Sequence, residues 1–216
     1  MAAFPVPCLC MVTDRHHYRG ISLEEVVSLA VEGEVNLVQL REKDMASGRL
    51  LRLAHSLKKI TQGKALLFVN DRVDVALACG ADGVQLGEEA LPVSAVRHLA
   101  GEGLIIGRSV HSVEGAVKAQ AEGADFLIVG TVFLSPSHPI GRAAGVELLA
   151  SVAQRVSIPF LAIGGIKEDN IHQVIEAGAS GAAIISAIST SDDPRATTKA
   201  LVHEMIRSWS GIKIAG

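Results

Sequence analysis

Two hydrophobic rhythms alternate along the chain. Short continuous apolar runs at residues 8–12, 37–40, 65–69, 83–86, 104–106, 126–129, 160–163 and 182–185 read as strands buried on both faces. Between them lie longer stretches with a single apolar face, for example 22–32, 47–62, 112–122 and 170–177, which read as amphipathic helices. Several open on Ser, Asp or Asn, whose side-chain oxygen can accept a hydrogen bond from an unpaired N–H of the first turn. Four helix ends share one phrase: Glu32-Gly33, Cys79-Gly80, Glu122-Gly123 and Ala177-Gly178 each precede a strand by a few residues. Glycine there predicts a left-handed residue that stops the helix.

Strict alternation of strand and helix leaves two architectures, an open doubly wound sheet and a closed barrel. Eight units favour closure, and no GxGxxG follows the first strand, which weighs against a dinucleotide-binding open sheet. The expected fold is therefore α/β, a single (β/α)8 TIM barrel over residues 1–216, close to the usual roughly 200 to 250 residues of that fold. No linker or low-complexity tract interrupts it, and the tail after Trp209 is expected to fray.

Composition narrows the function classes. Hydrophobic residues make up 49% of the chain but aromatics only 3%, so the core must be aliphatic. A formal charge of −3 with scattered Lys and Arg gives no basic face for nucleic acid, so a bound anion must be met by a local site. Cys8, Cys10 and Cys79 cannot make a disulfide framework and lack metal-type spacing, so they are expected to be buried thiols in a reducing compartment. The apolar opening, residues 1–12, has no basic segment before it and reads as a first strand instead of a signal peptide. No apolar run approaches the roughly 20 residues of a spanning helix. A cytoplasmic protein with no membrane partner is expected.

In such a barrel the chemistry sits at the C-terminal ends of the strands. That filter selects Gln39, Arg41 and Lys43 after strand two, Asn70 and Asp71 after strand three, Gln85, Glu88 and Glu89 after strand four, and Ser109 and His111 after strand five. It adds the loop 131–145 after strand six, Gly164 and Gly165 after strand seven, and Ser186 after strand eight. Alternation in Gln39-Leu40-Arg41 brings an amide and a guanidinium together in the mouth with Lys43 beyond, an anion clamp. A strand leaving the core into a solvated charged turn would look the same. Asn70-Asp71 would equally serve as a helix N-cap.

Gly164-Gly165 and Ile185-Ser186 put adaptable backbone and a hydroxyl where barrels often hold phosphate, although a tight turn alone would also use the glycines. His55, His98, His172 and His203 fall on helices, and His16 and His17 lie in the first loop without an evident partner. His111 sits just past strand five, where an imidazole can act as general acid or base near neutral pH or simply hold the start of a helix. His138, with Ser135 and Ser137, lies on the long loop after strand six, a length typical of lids and binding loops.

Six motifs occur in register: Val38-Gln39-Leu40-Arg41-Glu42-Lys43, Asn70-Asp71-Arg72-Val73-Asp74, Gly83-Val84-Gln85-Leu86-Gly87, Gly107-Arg108-Ser109-Val110-His111-Ser112, Ala162-Ile163-Gly164-Gly165-Ile166 and Ile185-Ser186-Ala187-Ile188. Together they resemble the thiamine phosphate synthase and TenI superfamily of TIM barrels. The synthases join a pyrimidine diphosphate to a thiazole phosphate and release pyrophosphate with the help of Mg²⁺. The resemblance implies that Gln39, Arg41, Lys43 and Asn70 bind the pyrimidine diphosphate, that Asp71 holds the metal, and that Ser109 meets the pyrophosphate. It gives the thiazole phosphate to Gly165, Ile185 and Ser186.

Two positions depart from the synthase pattern. Ala90 stands where the synthases carry a second metal-binding aspartate, with Glu88 and Glu89 as neighbouring substitutes. Ser135, Ser137 and His138 stand where they carry two threonines and a lysine, and His138 is mostly neutral at pH 7. Both departures resemble the TenI branch, thiazole tautomerases that need no metal, in which His111 would shuttle the proton. The leading expectation is thus a tautomerase without a cofactor acting on a thiazole carboxylate phosphate. The alternatives are a Mg²⁺-dependent thiamine phosphate synthase and, third, a non-catalytic binder of a phosphorylated ligand. Family analogy adds a possible homodimer.

Overall fold

Each apolar run pairs with the runs before and after it. In the computed structural model, which describes residues 4–18, 20–134 and 143–215, the order is β1 (Cys8–Val12), α1 (Leu23–Glu32), β2 (Leu37–Leu40), α2 (Ser47–Thr61), β3 (Leu66–Asn70) and α3 (Val73–Cys79). It continues with β4 (Gly83–Leu86), α4 (Val93–Ala100), β5 (Ile105–Val110), α5 (Val113–Ala121), β6 (Phe126–Gly130) and α6 (Gly145–Ala153). The last elements are β7 (Phe160–Ile163), α7 (Ile171–Glu176), β8 (Gly181–Ile184), α8 (Ser186–Ser189) and α9 (Pro194–Ala215). All neighbouring strands are parallel, and β8 pairs back onto β1 with Cys8 opposite Gly181. The fold is the expected (β/α)8 TIM barrel.

Alternation along the strands sorts the core into two layers. Cys8, Cys10, Leu37, Phe68, Ile105, Phe126, Ile128 and Leu161 fill the barrel, while Leu9, Met11, Val38, Leu40, Leu67 and Val69 face the helices. The interior relies on two large rings, Phe68 and Phe126, packed edge to face at 5.5 Å, with Phe4 stacked on Phe126 at 4.3 Å. Glycines opposite make the room. A Cβ at Gly83 would lie 2.5 Å from the Phe68 ring, and one at Gly107 would overlap both the Phe126 ring and Gln85 Oε1.

The glycine phrase holds in three of its four copies. Gly80, Gly123 and Gly178 are left-handed, with φ of 64°, 92° and 96°. Gly33 is not: its φ is −81°, and Glu34 takes the left-handed place at 74°. Gly33 is small because α9 presses on it, where a Cβ would sit 2.6 Å from Thr198 Cβ and 2.8 Å from Arg195 O. The residue just before the strand also has a task. Asn36, Asp82 and Asp125 accept hydrogen bonds from Leu9, Leu67 and Ile106 N–H groups at 2.7, 2.8 and 2.7 Å, tying each strand to its neighbour at the closed end.

Two boundaries differ from expectation. β5 extends to Val110, so Ser109 lies on the strand and not past it. The chain after Trp209 stays helical to Ala215, because α9 is one helix whose Leu201, Val202 and Met205 bury a face and which packs on α7 and α1. The three cysteines are free and buried, and burial pushes the thiols of Cys8 and Cys10 well up, which keeps them neutral. Among the described residues no helix is long and apolar enough to cross a membrane.

Candidate active site

A cavity of about 260 Å³ opens at the C-terminal ends of the strands. Gln39, Arg41, Lys43, Asn70, Asp71, Ser109, His111, Gly165, Ile185 and Ser186 all line it. Ser135, Ser137 and His138 lie outside the described residues. Residues brought from five strands or the loops after them thus meet in one place.

One wall is built from side chains that hold each other. Gln39 Nε2 donates to Asn70 Oδ1 at 2.8 Å, and Asn70 Nδ2 donates to Asp71 Oδ2 at 2.8 Å. Gly87 N donates to Asp71 Oδ1 at 2.7 Å, so both carboxylate oxygens are oriented from β2, β3 and the turn after β4. Asp71 sits in the left-handed region at φ 58°, outside α3, and its side chain caps nothing in that helix. Its conformation serves the wall and not the N-cap that the sequence equally allowed. Ser109 Oγ accepts from Gln85 Nε2 at 3.0 Å, and Gln85 is 1% exposed with Oε1 unpaired among the described residues.

Charge enters this wall through Arg41 and Lys43. Among the described residues neither has a carboxylate partner, although both line the cavity. Glu42, between them, is buried and turned away. It accepts from Thr13 Oγ1 at 2.8 Å and pairs with Arg15 at 2.9 Å. Arg15 also bonds Asp44, whose carboxyl that hydrogen bond holds down to about 2. Position at the strand ends does not by itself select Glu42, Thr13 or Arg15. A carboxylate between two cavity-facing cations in an alternating strand end was the available signal.

Among the described residues the opposite wall carries no charged side chain and combines glycines with aliphatic residues such as Ile163, Ile166 and Ile185. Gly164 and Gly165 have φ of 108° and 62°, and a Cβ on Gly165 would lie 2.6 Å from Leu134 O and 2.8 Å from Phe133 Cβ. The glycines therefore do more than turn the chain: they admit the segment after β6, whose Phe133 N donates to Gly164 O at 3.0 Å. Asn170, expected to cap α7, instead reaches back. Its Nδ2 donates to Gly165 O at 3.0 Å and its Oδ1 accepts from Lys167 N at 2.8 Å. Ile185 and Ser186 complete this wall at the start of α8.

His111 stands at the rim, its side chain 57% exposed, with Nδ1 3.1 Å from Glu88 Oε1. Glu88 and Glu89 are both exposed, but Glu88 shares the cavity wall with Asp71 while Glu89 does not line it, and Ala90 packs against the outer core. His16 lies 3.3 Å from Asp44 and His17 2.9 Å from Asp14, partners that the sequence did not reveal. Among the described residues no group of three or more His, Cys, Asp or Glu could hold a metal alone. One oriented carboxylate beside unpaired cations fits a Mg²⁺ that arrives with a diphosphate, since this ion binds through one or two carboxylates plus phosphate oxygens and water.

A family profile described as thiamine monophosphate synthase matches residues 9–188. A putative thiamine-phosphate synthase of Geobacter sulfurreducens is 47% identical over 196 residues, covering 90% of this chain and 92% of its own. The thiamine-phosphate synthase of Caldanaerobacter subterraneus subsp. tengcongensis is 39% identical over 203 residues, covering 93% and 94%. The solved thiamine phosphate pyrophosphorylase of Pyrococcus furiosus superposes with a TM-score of 0.86 at 38% identity, over 93% of this chain and 96% of that one. These likenesses favour the synthase over the tautomerase expected from Ala90 and His138.

Proposed function

Because the chain belongs to the thiamine monophosphate synthase family, we propose that it joins a pyrimidine diphosphate to a thiazole phosphate and releases pyrophosphate. The observation that carries this reading is that a charged side-chain wall and an uncharged, glycine-bearing wall face one cavity, the first suited to a diphosphate and the second to a monophosphate.

In the reaction the bond from the pyrimidine's methylene carbon to the diphosphate oxygen breaks as the bond from that carbon to the thiazole forms. Negative charge grows on the departing pyrophosphate, and fixed positive charge beside it lowers the barrier. Arg41 can present a planar fork to two phosphate oxygens, and Lys43 adds a mobile charge at the rim. Ser109 accepts from Gln85, which leaves its proton for the anion. Gln39 and Asn70 hold Asp71 in place, and Asp71 would hold Mg²⁺, which when bound supplies charge to the leaving group. Backbone N–H groups at Gly165, Ile185 and Ser186 would hold the thiazole phosphate in attacking position.

The His111–Glu88 pair on the same cavity favours a second reading, the metal-independent tautomerase. Both reactions are to be assayed side by side, with Mg²⁺ and with chelator. Release of pyrophosphate that chelator abolishes is expected. Isomerisation of the thiazole carboxylate in chelator, lost in His111→Ala, would overturn the synthase in favour of the tautomerase. Turnover of neither substrate would leave a phosphate-ligand binder.

A further inference from the structure

We propose that Glu42 is a positioning residue, a buried carboxylate that locks the loop after β1 to the loop after β2 so that Arg41 and Lys43 face the bound diphosphate. The proposal rests on the synthase reading above.

Alternation past β2 sends Arg41 and Lys43 to the cavity and Glu42 away from it, to a place where its side chain is 1% exposed. A charge so buried persists only with donors and a counter-ion. Glu42 has both. Oε1 accepts from Thr13 Oγ1 at 2.8 Å and from Arg15 N at 3.2 Å, and Oε2 accepts from Arg15 Nη1 at 2.9 Å.

The link to the cavity runs through Thr13. Its hydroxyl donates to Glu42, and the same oxygen accepts from Arg41 N at 2.9 Å. Thr13 N in turn donates to Gln39 O at 2.9 Å, which carries the β1–β2 ladder one residue past β1. The backbone of Arg41 is thereby fixed by a chain that starts at the Glu42 charge. Arg15 bridges on to Asp44 Oδ1 at 2.7 Å, so residues 41–44 are gripped at both ends. The cations that face the ligand are held by an acid that never touches it.

The test uses the full chain with Mg²⁺ and three variants, Glu42→Gln, Thr13→Val and Thr13→Ser. It reads the KM for each substrate and the Kd for inorganic pyrophosphate. Glu42→Gln and Thr13→Val are expected to raise the KM for the pyrimidine diphosphate and the pyrophosphate Kd about tenfold, equivalent to roughly 1.4 kcal/mol of lost positioning. The KM for the thiazole phosphate should stay where it is, and Thr13→Ser should restore wild-type values. Equal rises in both KM values would show a merely structural role and overturn the proposal, as would no change in either. Should Glu42→Gln fail to fold, Thr13→Val, which keeps shape and removes only the hydroxyl, decides. A wild-type chain that binds pyrophosphate without turnover, with binding weakened in Thr13→Val, would sink the synthase reading and support the positioning role. A wild-type chain that binds no pyrophosphate overturns both.

Discussion

The two walls of the cavity are built by different means. On the β2–β4 side, side chains hold other side chains, from Gln39 through Asn70 to Asp71, with Arg41 and Lys43 beside them. On the β6–β8 side, left-handed glycines, a loop pinned by Asn170 and aliphatic side chains line the cavity, without a charge among the described residues. The difference teaches where chemistry and holding are separated. A wall of charges and carboxylates can stabilise a leaving group whose charge changes during reaction. On the proposed reading, the glycine-bearing wall would hold a phosphate whose charge does not change.

The sharpest way to break this division is Asp71→Ala. It removes the carboxylate that would hold Mg²⁺, and pyrophosphate release should fall about a thousandfold. The thiazole phosphate Kd, read by calorimetry, should stay unchanged; a parallel loss there would mean that the walls act as one unit. Gly165→Ala tests the other side. A Cβ at φ 62° and 2.6 Å from Leu134 O should cost about 1–3 kcal/mol of stability. In denaturant melts this should accompany weakened thiazole phosphate binding, with pyrophosphate affinity retained.

The smallest effect lies behind the charged wall. Asp44 is held near 2, chiefly by its hydrogen bond from Arg15, below its ordinary value of about 3.9. A depressed folded-state value means that the pairing contributes fully above about pH 4 and is lost as pH falls toward 2. Melting temperatures of wild type and Asp44→Asn should differ slightly at pH 6 and converge at pH 2. A gap independent of pH would show that the charge is not its source.

The barrel was legible because its signals are local. Apolar runs, caps such as Ser22 and Ser112, and glycines after helices each act within a few residues. The lining of the mouth was legible for a related reason, since strand alternation and position decide which side chains reach it. What escaped depends on contacts across space. Glu42, Thr13 and Arg15 belong to two loops whose bonding spans 27 to 29 residues. Gly33 reads as a helix stop, yet its small size answers α9, more than 150 residues further along. Asn170 reads as a cap because an Asn before a helix usually is one. Its choice of Gly165 O and Lys167 N follows from a loop shape that no pattern of neighbours encodes. The preference for a tautomerase arose at positions 90 and 138, where single substitutions were weighed against motifs intact over the rest of the chain.

The missing side chain at Gly107 has one more implication. The hollow it leaves has two tenants, the Phe126 ring from below and the Gln85 amide, which reaches across to Ser109. Floor and mouth therefore share a single vacancy. Any lineage that enlarges residue 107 must shrink or evict one tenant, and evicting Gln85 unseats Ser109. Repacking of the hydrophobic base is thus yoked to the placement of Ser109 in the mouth above it, and the two cannot drift independently.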